Sequence, residues 1–446
     1  MHRRHLLALS SALLAGGLAG CVHAPGTNGG SIARAVPGAE PDIEDDHLRE
    51  LVHQANGFAF DLYRQLIKDD PKGNLFSSPV SISIALAMTY AGAREETREQ
   101  MRQVMRYTLD DDSLHEPFNA LQRELNERGN IVDVETGGGY DEDDDPTPFE
   151  LSIVNSVWGQ EGYPFADDYL DVLSDRYGGG LREIDYTTDA EAAREEINDW
   201  VADETEDRID ELLPENSLDE MVRLVLVNAI YFFANWHNPF PENLTDEETF
   251  IALDGTEHEV AMMRESRRWQ YAETDGAQAV ELPYIGEEAS MLVILPPEGE
   301  FETYEREFDG EALWEIVEAL DAREGSVRLP RFEFKTSLQL GAVLERMGMK
   351  DAFDPHEADF SGMTHREKTE ENLYIGQVYH DAFIAVDEAG TEAAAATGVV
   401  MRTVSAPMDP FSLVADRPFL FAIRDRLTDT LLFLGRVVDP GGWERN

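Results

Sequence analysis

The stretch Glu388-Ala389-Gly390-Thr391-Glu392-Ala393-Ala394-Ala395-Ala396-Thr397-Gly398-Val399-Val400-Met401 is poor in bulky apolar residues and yet almost uncharged. In a chain with 90 acidic and 36 basic residues that combination is unusual. It follows a strand pattern at Ala382 to Asp387. Continued as a strand, the period of two sends Thr391, Ala393, Ala395, Thr397, Val399 and Met401 to one face, and Glu392, Ala394, Ala396, Gly398, Val400 and Arg402 to the other. The first face is uncharged and mostly small, as a surface sliding beneath a packed interior requires. The second carries the charges. No proline interrupts Gly390 to Met401, so every backbone N–H is available to a ladder. Alanine is the best helix former, so the residues alone leave a short helix or a flexible linker open as well.

Upstream, globular patterning begins near Asp46, where Leu48, Leu51, Val52, Ala55, Phe58, Leu62 and Leu66 recur mostly at helical spacing. Asn74-Leu75-Phe76-Ser77-Ser78-Pro79 breaks that helix, and Pro79 opens the next through Ile82, Leu86 and Met88. Helices are expected at Arg94 to Met105, His115 to Arg128, Ala190 to Glu206, Ile209 to Leu213 and Ser337 to Met347. Strands are expected at Leu151 to Trp158, Leu224 to Phe233, Ala279 to Leu282, Ser290 to Leu295, Val327 to Phe334, Phe419 to Ile423 and Leu431 to Val438. Runs of each type without strict alternation suggest an α+β fold with mostly antiparallel sheets. The segment Gly137 to Pro146 is glycine-rich and then acidic; it lacks the spacing of a calcium-binding hand and reads as a solvated loop. No metal site and no cofactor are expected.

The first 21 residues read as an export signal to be kept out of the fold. Arg3 and Arg4 precede an apolar run from Leu6 to Leu18, too short to span a bilayer. Leu18-Ala19-Gly20-Cys21 resembles a lipobox, which implies a lipid on Cys21 and residence on the outer face of the cell membrane. A plain secretory signal is the alternative. Cys21 is the single cysteine, so no internal disulfide forms. Residues 22–45 are Gly-, Pro- and Ala-rich and read as a flexible tether, followed by one domain over 46–441. The formal charge of -54 makes the chain repel itself in dilute buffer. Molar salt shrinks the Debye length to about 3 Å and relieves that repulsion, so the balance suits a hypersaline medium. It disfavours nucleic acid and anionic membrane surfaces as partners.

The common enzyme signatures are missing: no G-x-S-x-G, H-E-x-x-H, Walker loop or dinucleotide fingerprint occurs. The chain is not expected to be an enzyme.

With a Glu-x-Gly hinge followed by Thr391-Glu392-Ala393-Ala394-Ala395-Ala396-Thr397, the sequence resembles the inhibitory serpins, although Ala389 stands where the family usually has a charged or polar residue. Further resemblances run in order from about Asp46 to Pro440. They are Asn74 to Ile82, the long Val225 to Phe240 (VLVNAIYFFANWHNPF), Ala358-Asp359-Phe360-Ser361-Gly362, Ala415 to Ile423, and Leu434-Gly435-Arg436-Val437. The resemblance implies three β-sheets with about nine helices and an exposed reactive loop. It also implies a mechanism in which a serine protease cuts the loop, forms an acyl-enzyme, and is dragged and distorted as the freed loop inserts into the main sheet. The nucleophile belongs to the partner, so the inhibitor needs no catalytic residues.

Residue by residue, the resemblance makes Glu388, Gly390, Thr391, Ala393 to Ala396 and Thr397 the hinge. Ser78, Ser81, Asn228 and His380 match the shutter beneath the strands that part, and Trp236 matches the breach where insertion starts. As bare residues, His380 and Trp236 are also compatible with ordinary core positions. Measured from Glu388, the bait bond falls at Val404-Ser405, with Arg402 the alternative. Val404 suits a small apolar pocket, as in subtilisin-like or elastase-like proteases; Arg402 suits a trypsin-like one. The expected partner is therefore a serine protease met by a monomer. A serpin that has lost inhibition and acts as a binding, carrier or chaperone module is the other reading. Polyanion activation is not expected, because His115 to Arg128 offers only Arg123 and Arg128 beside Glu116, Glu124 and Glu127.

Overall fold

The computed structural model describes residues 45–128, 150–178, 181–205, 207–365, 369, 372–391 and 410–440. Among these residues there are nine α-helices: α1 (Asp45–Asp69), α2 (Pro79–Tyr90), α3 (Glu95–Val104), α4 (Asp111–Glu127), α5 (Asp167–Tyr177), α6 (Ala190–Glu204), α7 (Phe301–Glu307), α8 (Gly310–Ala319) and α9 (Gly341–Met347). The strands are β1 (Leu75–Ser77), β2 (Glu150–Gln160), β3 (Leu181–Ile184), β4 (Leu224–Asn235), β5 (Asp246–Ile251), β6 (Glu257–Thr274), β7 (Ala277–Pro283), β8 (Ala289–Leu295), β9 (Asp321–Pro330), β10 (Phe332–Gln339), β11 (Tyr379–Val386), β12 (Gly390–Thr391), β13 (Phe411–Val414), β14 (Phe419–Asp425) and β15 (Leu431–Val437).

One sheet has the order β10-β11-β12-β4-β2-β3, with β11 also pairing β4 directly. The other runs β1-β15-β14-β8-β7-β6-β9-β13, with β5 on β6. Most pairs are antiparallel; β11–β4, β13–β9 and β2–β3 are parallel. Three separate sheets were expected from the family resemblance, whereas the described strands form two hydrogen-bonded networks. The reason is β6, which is 18 residues long. Its start pairs β5, its middle β9 and its end β7, so it joins two sheets into one.

Helix α2 is buried on every side; its sequence is free of charge and mostly apolar, with Ser81, Ser83 and Thr89 as its small polar residues. Pro79 stands in its first turn and the Ser78 side chain caps it, accepting from Ser81 N–H. Strand β4 reads as a nearly continuous apolar run because the sheet is covered on both faces there. Three deeply buried ion pairs tie distant segments: Arg436 to Glu305, Arg128 to Asp425 and Arg424 to Glu281.

Three elements differ from the sequence reading. The expected strand Val327 to Phe334 is two strands in different sheets: Pro330 has no N–H to continue the ladder, and the chain turns at Arg331. Ser337 to Gln339 extend β10 instead of opening a helix, since each has a partner on β11, and α9 starts only at Gly341. Ile209 to Leu213 form no helix. Asn198 on α6 both donates to Leu213 C=O and accepts from Leu213 N–H, at 2.9 Å each, supplying the backbone partners a helix would have supplied. Strand β6 carried no expectation because Arg264, Glu265, Arg267 and Arg268 mask its alternation.

Candidate functional site

The candidate site is the seam between β4 and β11. In its lower half the two strands pair directly, with Tyr379, His380, Asp381 and Ala382 opposite Val227, Asn228, Ala229 and Ile230. In its upper half β12 lies between them: Thr391 pairs with both Val386 and Ala234, and Gly390 with Asn235. The seam is thus closed below and already parted above.

The lower half is locked by a polar cluster in an apolar surrounding. Ser78, Ser81, Asn228 and His380 are all fully buried. Ser78 N–H donates to His380 Nε2 at 3.1 Å, and His380 Nδ1 is bonded to Asn228 Oδ1. Asn228 Nδ2 donates to Ser81 Oγ at 2.6 Å and also to Asn155 Oδ1. Ser78 Oγ donates to Leu432 C=O at 2.7 Å. Because Nε2 accepts, the proton sits on Nδ1 and the ring is neutral. Burial agrees with this, depressing the His380 pKa to about 3. A second ring proton would face the Ser78 N–H, donor against donor. The cluster joins α2, β2, β4 and β11, so parting β4 from β11 at this level must break the His380–Asn228 bond.

The upper half is a tight turn from Asp387 to Gly390. Asp387 N–H donates to Gly390 C=O at 3.0 Å, while Asp387 Oδ1 accepts from Ala389 N–H at 2.9 Å and Gly390 N–H at 3.2 Å. Burial and the neighbouring Glu388 charge raise the Asp387 carboxyl to about 6 despite those two N–H donors. Gly390 is required here: a Cβ would lie 2.1 Å from Ala234 C=O oxygen. Glu388 is held by Arg331 through two bonds of 2.8 Å and 2.6 Å, and by the Thr245 hydroxyl. Its backbone carbonyl accepts from Phe240 N–H at 2.8 Å. Trp236 clamps the turn, donating from Nε1 to Asp387 C=O at 3.0 Å and from its backbone N–H to Ala389 C=O at 2.8 Å. Its ring stacks on Tyr284 at 4.7 Å. The Tyr284 hydroxyl meets Thr391 Oγ1 at 2.8 Å, and Thr391 is 1% exposed. Thr391 therefore already points inward.

The structure brings together two groups of the residues singled out above. Ser78, Ser81, Asn228 and His380 form one cluster, and Trp236, Glu388, Gly390 and Thr391 surround the other. Ala393 to Thr397, Arg402, Val404, Ser405 and Cys21 lie outside the described residues. Sequence reasoning missed Asn155, Arg331, Tyr284 and Asp387. Asn155 carried a faint signal, as a polar residue inside an apolar strand, and it stands opposite Asn228 in the register. Arg331 and Tyr284 had none, because their partners are remote in the chain; Asp387 bonds residues two and three positions on, and an Asp opening a turn before a glycine was its local signal. Among the described residues no cluster of His, Cys, Asp and Glu suited to a metal ion occurs. No described helix is long and apolar enough to cross a membrane.

The family model described as Serpin (serine protease inhibitor) matches residues 53–440. A serpin-like protein of Thermococcus kodakarensis is 39% identical over 89% of this chain and 88% of its own length. The leukocyte elastase inhibitor of Equus caballus is 36% identical over 88% of this chain and all of its own. Among solved structures, the native state of the thermophilic serpin tengpin is similar with a TM-score of 0.76, covering 91% of this chain and 97% of that one at 28% identity. With an α+β fold of this topology and a family match over most of its length, the chain belongs to the serpin family of protease inhibitors.

Proposed function

We propose that this protein inhibits a serine protease by suicide trapping. The observation that supports this most is β12, which lies between β4 and β11 as the first residues of a new strand. The protease serine attacks the Val404 carbonyl, the amide to Ser405 breaks with its amine leaving, and an ester to Val404 forms. Residues after Thr391 then continue β12 downward. Each step exchanges direct β4–β11 pairing for pairing with the inserting strand, so backbone bonds are kept while burial is gained. The small uncharged face from Thr391 to Thr397 suits passage over the sheet interior. The test is incubation with subtilisin-like and elastase-like proteases in molar salt, read on a denaturing gel. A covalent complex is expected; cleavage without one would make the chain a non-inhibitory member acting as a binding module.

The same reading places the inhibitor outside the cell as a monomer on a lipid at Cys21, supported by Leu18-Ala19-Gly20-Cys21 and by the charge of -54. Cys21→Ser should release the protein into the medium, and its retention in the membrane fraction would end that proposal. The unfolding temperature should rise from dilute to molar salt as screening relieves the charge. A flat response would remove the hypersaline reading.

A further inference from the structure

Arg264, Arg267 and Arg268 fall within five residues of a chain whose formal charge is -54. All three lie on β6, where it pairs with β9: Arg264 stands opposite Arg328, Ser266 opposite Ser326, and Arg268 opposite Glu324. Strand alternation puts Arg264, Ser266 and Arg268 on one face. Ser266 and Arg268 are exposed and Arg264 is partly so. Strand β13 extends the same face, with Ser412 opposite Ser326 and Val414 opposite Arg328. A row of three serines therefore crosses the platform, with Arg264 and Arg328 on one side and Arg268 beside Glu324 on the other.

The charges on this face are only partly neutralised. Arg328 is paired with Glu248 at 3.1 Å. Arg268 donates to the Ala322 carbonyl at 3.3 Å rather than to a carboxylate. Arg264 forms no ion pair among the described residues. Short serine side chains let a partner approach closely, and guanidinium groups match carboxylates in a bidentate fork. The platform is also joined to the bait by a short stretch of chain. Strand β13 starts at Phe411, opposite Gly325 in the middle of β9. From Val404 to Phe411 the chain spans at most about 25 Å. A protease seated on that bond is therefore tethered within that distance of the start of β13.

We propose that this arginine and serine face of β6, β9 and β13 is a docking surface for an acidic patch on the attacking protease. The proposal rests on the inhibitory reading above. In dilute salt an inhibitor this acidic repels an acidic enzyme at long range; in molar salt, with a Debye length of about 3 Å, only direct contacts persist, and there the arginine forks meet carboxylates. Such charges act chiefly on encounter and register.

The test uses the double variant Arg264→Glu/Arg268→Glu and a subtilisin-class protease of acidic surface, inactivated at its nucleophilic serine so that docking is read without trapping. At about 0.1 M salt the variant should bind at least tenfold more weakly than the parent, with the gap narrowing but still measurable in molar salt, where only direct contacts persist. An inactivated subtilisin of neutral surface should not distinguish the two. Equal affinity of parent and variant for the acidic enzyme would overturn the proposal, as would an equal loss with the neutral enzyme. Polyphosphate that bound the parent but not the variant, with protease affinities unchanged, would reassign the face to a polyanion. Trapping by the active protease is measured on the parent alone. A parent that docks the inactive enzyme yet never forms a covalent complex would keep the docking face and remove the inhibitory function.

Discussion

The lower and upper halves of the β4–β11 seam are held by opposite kinds of chemistry. Below, a neutral histidine bridges Ser78 on the α2 cap and Asn228 on β4, and the strands pair directly. Above, an ion pair between Glu388 and Arg331 anchors a turn, and β12 has entered. A neutral lock can be opened and re-formed without stranding a charge in the interior. A buried ion pair cannot, so it belongs at a fixed anchor. Under the proposed trapping mechanism, the barrier to insertion lies in the lower half and the pivot in the upper one.

The largest expected effect comes from breaking the upper half at its inward residue. Thr391→Arg sets an unpaired cation beside the Tyr284 hydroxyl, at a cost of roughly several kcal/mol. Because Thr391 is already buried before cleavage, the cation should expel β12 from the seam; loop cleavage should continue, insertion must then rebury the charge, and hydrolysis of the acyl bond wins. At about 1.4 kcal/mol per decade, the ratio of covalent complex to cleaved inhibitor should fall by about a hundredfold or more. Glu392→Arg, outward by strand alternation, should leave it nearly unchanged. Undiminished trapping by Thr391→Arg would mean that this strand does not insert.

Removing the pivot itself comes next. Glu388→Ala leaves Arg331 buried without its carboxylate and should cost about 3–5 kcal/mol in denaturant unfolding. A double replacement by methionine at both positions should recover most of it, since no charge is then stranded. A cost below about 1 kcal/mol for the single change would show that the pair anchors nothing.

The two halves should also respond to acid with opposite sign. The folded pKa of His380, about 3, lies below its ordinary value of 6.5. The unfolded chain therefore takes up a proton first as pH falls, and stability drains away between about pH 6.5 and 3. The loss should reach about 2 kcal/mol by pH 5. His380→Gln should flatten that limb of the stability profile, and an unaltered limb would place the acid sensitivity elsewhere. At Asp387 the folded pKa is raised to about 6 from 3.8, so the ionised form is the costly one. That cost is present above pH 6 and is relieved as pH falls toward 3.8. Asp387→Asn keeps an acceptor for Ala389 and Gly390 N–H without the charge. It should stabilise the fold by about 1–2 kcal/mol at pH 7.5, the gain fading by pH 4. Destabilisation at pH 7.5 would show that the turn needs the carboxylate.

What could be read without coordinates follows from how far apart the partners lie in the chain. The hinge expectation rested on local properties, a charge-poor face, a glycine and an unbroken run of N–H donors, and its described residues Glu388, Gly390 and Thr391 form the turn into β12. Pro79 opening α2 and the apolar run of β4 were legible for the same reason. Arg331 was not, for it sits inside what looked like one continuous strand from Val327 to Phe334. Only the separation of β9 and β10 into two sheets turns it toward Glu388, 57 positions away. Strand β6 was hidden because arginine and glutamate stand on both of its faces between Arg264 and Arg268, which defeats a reading by apolar period.

The sequence by itself determined the fold family and the α+β pattern, because periodicity and short motifs are properties of neighbouring residues, and the family resemblance singled out Ser78, Ser81, Asn228 and His380, which the structure gathers into one cluster. Tertiary structure alone decided where the seam is open and where it is closed. It also set the neutral Nδ1–H form of His380, the pairing of Glu388 with Arg331, and the row of serines and arginines across β6, β9 and β13. Each of these depends on strand register and burial, which bring together residues that no local pattern connects.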